Sequence, residues 1–274
     1  MYCEICKNKL SVKAKLSSFD LFECKKCAHT VTNLVVDEKY YLETYSDEYI
    51  GDKHKNWMNN PNYRLFDKIN TFISKNKKGK ILDLGCGTGL LLKFLYKKNP
   101  NYDLTGIDII KNIKHKKIKF YKKEFFKFIP KTKFSYIISI AVIEHVPKVK
   151  VYLDYLKRVT EKDAHFIVLT INTNSFLYII ANCLYKIGIK SPFVRLYDPH
   201  HLNHFSNISL EKFLIKNNFE IIERIKTPIS MKQIDYPYND LITKYILYLG
   251  LSILLKMEKI FNKSWLQTIV FKKK

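Results

Sequence analysis

The segment KGKILDLGCGTGLLLKFLYKK, residues 78–98, runs an apolar stretch Ile81 to Leu84 into glycines at 85, 87 and 89 and then into a leucine-rich helix former. A buried strand that enters a helix through a glycine turn is the opening unit of a doubly wound α/β sheet, and that turn is where such sheets receive a ligand. The chain's 274 residues are enough for one large α/β domain with a small appendage, and 47% apolar residues can fill its core.

The loop itself discriminates among ligands. A phosphate-cradling P-loop ends Gly-Lys-Ser/Thr, whereas this one ends Thr88-Gly89-Leu90. A dinucleotide fingerprint needs a third small residue at the sixth position of the motif, counted from Gly85, where Leu90 stands. The acid Asp83 at the mouth of the loop would repel a pyrophosphate and attract a cationic amino group. Further on, YDLTGIDII reads as a second strand ending in Asp108, a carboxylate able to accept from both hydroxyls of a ribose. A ligand with a ribose, a cationic end and no diphosphate meets these conditions; S-adenosylmethionine is one.

ILDLGCGTG, LTGIDI and FSYIISIAVIEHV, in that order, resemble the successive motifs of class I S-adenosylmethionine-dependent methyltransferases. The resemblance covers roughly residues 60–274, and is strongest to the small-molecule group whose fourth strand leads into Glu-His-Val, here Glu144-His145-Val146. HHLNHFSNISLEKFLIKNNFEIIE is similar to that group as well. The family implies a Rossmann-like seven-stranded sheet with one antiparallel strand, and strands near 80–84, 104–109, 118–122, 135–141, 164–171, 219–226 and 266–272. Helices are expected at 89–98, 148–160 and 208–217, with insertions near 172–204 and 228–263 where substrate would sit.

The resemblance also implies the site. Asp83 and the backbone of Gly85, Cys86, Gly87 and Gly89 would hold the methionine part, Asp108 with Ile109 the ribose, and Glu124 with Phe125 the adenine; Ala141 would end the fourth strand beside them. Glu124 stands where the family commonly has Asp, and Ser135 where it commonly has an acid. The reaction implied is methyl transfer to a small-molecule acceptor at oxygen or carbon. His145 is the leading candidate base, with His201 and His204 as the other candidates. Nucleobase amine methylation is disfavoured, because no Pro-Pro-aromatic tetrapeptide follows the fourth strand, and no Pro-Cys pair offers a pyrimidine nucleophile. A non-catalytic partner protein that keeps the cofactor fold is the third reading; the loop glycines and Asp108 that such chains lose are intact.

Cys3-x-x-Cys6 and Cys24-x-x-Cys27 are separated by 17 residues, the spacing of a four-thiolate zinc site built from two knuckles. With no apolar secretory segment in MYCEICKNKL, the expected compartment is the reducing cytoplasm, where two disulfides are disfavoured. Four sulfurs leave no open position, so the Zn2+ is expected to be structural. Some sugar and natural-product methyltransferases begin with a similar Cys-rich module. Lys7 and Ala28 stand where each knuckle commonly has Gly, His29 reads as a bystander, and Cys86 and Cys183 read as small buried side chains. The organisation expected is a zinc-ribbon-like module at 1–40, a helical linker or cover at 41–78, and the cofactor-binding domain at 79–274.

The net charge of +23 favours anionic partners. Residues 111–133 carry ten Lys against the single acid Glu124, interleaved with Phe120, Tyr121, Phe125, Phe126 and Phe128. That pattern keeps an RNA-directed activity as the alternative, although aromatics beside a strand more often face the core. The apolar runs 175–189 and 245–255 are shorter than the ~20 residues a spanning helix needs. Either can be a buried helix or lie flat at an interface, so peripheral contact with an anionic membrane, on its inner face, is an expectation alongside the small-molecule substrate. No motif specifies an oligomeric state.

Overall fold

The computed structural model describes residues 1–34, 55–76, 78–109, 113–227, 229–235, 240–261 and 263–274. Three N-terminal strands, β1 (Ser11–Lys15), β2 (Asp20–Glu23) and β3 (Thr30–Asn33), form an antiparallel meander. The main sheet uses β4 (Lys80–Leu84), β5 (Asp103–Asp108), β6 (Lys119–Lys122), β7 (Phe134–Ile140), β8 (Thr160–Ile171), β10 (Phe219–Ile225) and β11 (Leu266–Lys273). Its order is β10-β11-β8-β7-β4-β5-β6, and β11 alone runs antiparallel to both neighbours. The expected seven-stranded α/β sheet with one antiparallel strand is therefore the fold. The expected strand bounds agree to within a few residues; the largest difference is β8, which begins at the buried Thr160, paired with Phe134, ahead of the exposed residues 161–163 and a register shift.

The central strands are buried on both faces, as the unbroken apolar run of β4 requires in a parallel sheet. Alternation sorts their side chains into two layers. Leu82, Leu84, Ile137, Phe166 and Val168 pack with helices Val149–Val159 and Asn207–Lys216. Ile81, Ile138, Ile167 and Leu169 pack with helices Tyr63–Lys75 and Leu90–Lys98. Because β5 lies on one side of β4 and β7 on the other, the carboxyl end of β4 is the point where strand order reverses, the usual ligand crevice of such sheets.

Both insertions lie beyond that edge. The first holds helices Phe176–Lys186 and Ser191–Leu196 and a short strand, β9 (Asn203–His204); the second holds the helix Leu241–Phe261. β9 pairs with β3, extending the N-terminal sheet to four strands in the order β1-β2-β3-β9. Cys3, Ile5, Leu10, Cys24 and Cys27 accordingly share one apolar cluster with Phe205, Leu210 and Phe213. The linker expected at 41–78 falls partly outside the described residues; its described part holds helices Lys55–Asn59 and Tyr63–Lys75.

Among the described residues no helix is long and apolar enough to cross a membrane. Cys183, expected to be buried, is exposed, because its position on the helix Phe176–Lys186 faces away from the layer that holds Tyr178 and Ala181. In the lysine-rich segment, the Phe125 ring lies tilted 4.2 Å from Phe126 and edge-on 5.4 Å from Tyr155, and Phe128 is buried, while Tyr121 remains exposed.

Candidate functional site

A cavity of about 1710 Å3 opens at the carboxyl edge of the sheet. Asp83, Gly85, Cys86, Gly87, Asp108, Ile109, Glu124, Phe125, Ala141, His145 and His201 all line it. Gly89 and His204 do not: Gly89 ends the loop as the cap of helix Leu90–Lys98, and His204 is fully buried in β9.

The glycine loop is shaped by backbone demands. Gly85, Gly87 and Gly89 have φ of 68°, 52° and 72°, the left-handed region that a Cβ disfavours. A Cβ on Gly85 would lie 2.5 Å from a Val142 methyl, and one on Gly89 would lie 2.7 Å from the Phe120 ring. The loop closes by donation from Gly85 N–H to the Ile107 carbonyl at 2.9 Å and from Gly89 N–H to the Cys86 carbonyl at 2.8 Å. The Asp108 carboxylate accepts from Gly87 N–H at 2.7 Å, so the tip of β5 is tied to the loop of β4.

Asp83 and Asp108 are both buried. Burial, and then the neighbouring Asp108 charge, push the Asp83 carboxyl well above the usual carboxylate range. A cation bound between these strand tips would relieve that repulsion, so this donor set suits a positively charged nucleoside. Glu124 sits across the cavity, half exposed and paired with Lys127 at 3.1 Å. Ala141 has φ of 54°, a strained conformation for a residue with a Cβ, and donates to the Leu169 carbonyl at 3.0 Å.

The second half of the cavity carries the histidines. His145 lies in the turn Ile143–His145 that follows β7, and its Nδ1 sits 2.9 Å from the His200 carbonyl. A carbonyl can only accept, so Nδ1 carries the ring proton and Nε2 the lone pair. Burial and the neighbouring His201 hold the ring well below its ordinary pKa, so it is neutral at pH 7. His201 meets it edge-on with ring centroids 4.8 Å apart. Beside them Glu144 accepts from Thr170 Oγ1 at 2.8 Å, and burial raises its carboxyl to about 7. Glu144, His145 and His201 each bring a ligand atom within 4.8 Å of the others.

Glu144, Thr88, Tyr178, Arg195 and Asp198 also line the cavity, although sequence reasoning assigns them no role. Glu144 was legible as the neighbour of His145; the others reach the cavity through tertiary packing. Much of the remaining lining is apolar, with Leu177, Ile189, Leu247, Leu251 and Trp265 among its side chains.

Cys3, Cys6, Cys24 and Cys27 form a second centre in the N-terminal meander. Their sulfurs all lie within 4.8 Å of one another, with Cys3–Cys27 at 3.6 Å and Cys6–Cys24 at 3.3 Å. Disulfide sulfurs would be about 2.05 Å apart; sulfurs placed tetrahedrally about 2.3 Å from zinc would be roughly 3.8 Å apart. The two knuckles match bond for bond. Cys3 N–H donates to Asn8 and Lys7 N–H to Cys3, and Cys24 N–H donates to His29 and Ala28 N–H to Cys24, each at 2.8 Å. Lys7 and Ala28 take the left-handed conformation, φ 65° and 57°, that Gly commonly supplies. Crowding splits the thiols: donation from Cys27 lowers Cys3 to about 5, while Cys27 is raised by the same bond. A thiolate among close thiols is the donor chemistry of a tetrahedral soft-metal site.

The family described as a methyltransferase domain matches residues 57–224. A mitochondrial ubiquinone biosynthesis O-methyltransferase of Dictyostelium discoideum is 25% identical over 194 residues, 61% of this chain and 58% of that protein. A malonyl-[acyl-carrier protein] O-methyltransferase of Ilyobacter polytropus is 31% identical over 102 residues, 34% of this chain and 39% of that protein. The chain thus spans under two thirds of the length of either relative. Among solved structures, the 1,6-didemethyltoxoflavin-N1-methyltransferase of Burkholderia thailandensis, with bound S-adenosylhomocysteine, superposes with a TM-score of 0.55 at 10% identity, covering 96% of this chain and 99% of its own, a likeness of fold.

Proposed function

The chain belongs to the methyltransferase-domain family, and on that premise we propose that it is an S-adenosylmethionine-dependent methyltransferase acting on a small molecule at oxygen or carbon. The observation that carries this reading is the pair of buried carboxylates, Asp83 and Asp108, at neighbouring strand tips around a loop of left-handed glycines. When bound, S-adenosylmethionine supplies an electrophilic methyl group on a positively charged sulfur. Asp83 and the backbone of Gly85, Cys86 and Gly87 hold the methionine end, with Gly89 shaping the loop's exit into the helix, Asp108 and Ile109 hold the ribose, and Glu124 and Phe125 the adenine. Positioning and exclusion of water are then the chain's main contribution, worth up to about 7–11 kcal/mol of barrier in well-aligned systems.

For a hydroxyl acceptor, Nε2 of His145 takes the acceptor's proton, and the His200 carbonyl holds the ring in that tautomer. His201 orients the same ring; His204, buried in β9, acts from behind. The apolar part of the lining suits an acceptor with a sizeable apolar part, such as a polyprenyl-linked sugar or a quinone precursor. The helix Leu241–Phe261 supports work at an anionic membrane surface: Ile242, Ile246, Leu249, Ile253 and Ile260 are exposed along one face, while Leu247 and Leu251 face the cavity. The four-cysteine centre of the 1–40 module binds structural zinc in a reducing cytoplasm; the helices Lys55–Asn59 and Tyr63–Lys75 of the linker cover the cofactor, and 79–274 performs the chemistry. RNA is the weaker alternative, because most aromatics of the lysine-rich segment pack inward.

Calorimetric titration with S-adenosylhomocysteine tests the central claim. Asp108→Ala is expected to weaken binding by about 10–100-fold, the loss of charge-assisted hydrogen bonds; equal affinity in both proteins would remove the ribose assignment. Flotation with anionic liposomes tests the membrane reading, which fails if the protein stays entirely in the lipid-free fraction.

A further inference from the structure

The four-cysteine centre lies in the N-terminal meander and the histidines at the carboxyl edge of the main sheet, yet hydrogen bonds from buried side chains of that meander reach the segments that carry the histidines. β9 is both the last strand of the N-terminal sheet and the end of the insertion that carries His200 and His201. Thr32, on β3, donates its hydroxyl proton to the His201 carbonyl at 2.7 Å. Its oxygen lies 3.0 Å from His204 Nε2, and with its one proton committed it accepts there from the ring N–H. A parallel path starts at the second knuckle. His29, two residues past Cys27, donates from Nε2 to Asn203 Oδ1 at 3.2 Å, and Asn203 Nδ2 donates to the Val146 carbonyl at 2.6 Å, one residue past His145. All three side chains that carry these bonds, His29, Thr32 and Asn203, are buried.

We propose that the four-cysteine module is a positioning element for the cavity histidines, with Thr32, His29 and Asn203 as positioning residues that fix His201 and His145 from behind. Two independent tethers, one to the backbone at or beside each histidine, are more than a module needs merely to stay attached. The sheet pairing and the apolar cluster around Phe205 already supply attachment. A hydrogen bond from a buried side chain to the backbone beside a working ring restricts its placement at the tenths-of-an-ångström scale that catalytic alignment demands. The inference uses the proposed function only in calling these histidines catalytic; the coupling itself is a property of the chain.

The test needs no methyl acceptor. Histidine-ring 1H–15N spectra of the full-length, metal-loaded protein, assigned with His145→Gln and His201→Gln, report tautomer and surroundings of both rings. Thr32→Val keeps the shape of the side chain and removes the hydroxyl. It is expected to shift the His145 and His201 ring signals, with Thr32→Ser returning them and the metal-to-protein ratio and S-adenosylhomocysteine affinity staying within about twofold of wild type. His29→Phe, which cuts the other path, is expected to shift His145 at unchanged metal content. Ring signals unmoved in both Thr32→Val and His29→Phe would overturn the proposal, as would shifts accompanied by loss of bound metal or of S-adenosylhomocysteine affinity, which would mark general unfolding. Failure of the wild type to bind S-adenosylhomocysteine would instead defeat the proposed function and leave the ring signals to decide this one.

Discussion

The glycine loop and the cysteine knuckles solve the same backbone problem with different residues. Both need left-handed turns, but the loop uses Gly85, Gly87 and Gly89 where the knuckles use Lys7 and Ala28. Surroundings account for the difference. A Cβ at Gly85 or Gly89 would run into Val142 or Phe120, and Gly85 and Gly87 line the cavity. Lys7 and Ala28 are exposed, so their side chains meet no wall and only the intrinsic strain of about 1–2 kcal/mol remains. Within these two turns, left-handed strain is carried by side-chain-bearing residues where they point to solvent and is left to glycine where a Cβ would overlap a packed neighbour.

The strongest way to break that comparison is to remove what closes the knuckles. Cys24→Ser is expected to bring the metal-to-protein ratio to near zero and to destabilise the N-terminal module by more than about 5 kcal/mol, given the roughly 10–16 kcal/mol of structural zinc sites. Elemental analysis with chemical denaturation would show this, and an unchanged denaturation midpoint would mean that no metal supports the turns. Gly85→Ala comes next, at about 2–4 kcal/mol from a left-handed Cβ and its overlap with Val142. It should also abolish detectable S-adenosylhomocysteine binding by calorimetry.

A smaller effect tests the cavity's electrostatics. Burial raises the Glu144 carboxyl from 4.5 to about 7. The unfolded chain then releases that proton first, so this group's contribution to stability falls as pH rises from 4.5 toward 7. Glu144→Gln is expected to flatten that fall by about 1–3 kcal/mol in denaturation curves taken across the range. Asp83 and Glu258, whose carboxyls burial also raises, keep part of the slope. The smallest effect is a gain: Ala28→Gly should stabilise the module by about 0.5–1 kcal/mol, relief of left-handed strain offset by glycine's greater chain entropy. A loss on thermal melting would show that the Ala28 methyl makes contacts that outweigh its strain.

The fold was legible because its signals are local. An apolar run as continuous as Ile81–Leu84 has to be buried on both faces, and three glycines at two-residue spacing have to be a turn. The two strand-tip acids were legible for the same reason, since the end of a strand fixes where its last side chain stands. His145 was legible as a position just past the fourth strand, in the Glu144-His145-Val146 run that resembles the family's motif, and it lies on the cavity wall.

The tertiary structure alone decided the rest. That His204 leaves the cavity and meets Thr32, that His29 meets Asn203 rather than standing by, and that Cys183 is exposed all depend on how the insertion is docked. So does the addition of β9 to the N-terminal sheet, which joins His29 to Asn203, 174 positions away. Local propensity reports what a segment does with its own neighbours; the partner of a two-residue strand is chosen by the packing of everything around it, and no pattern within Asn203–His204 contains that choice.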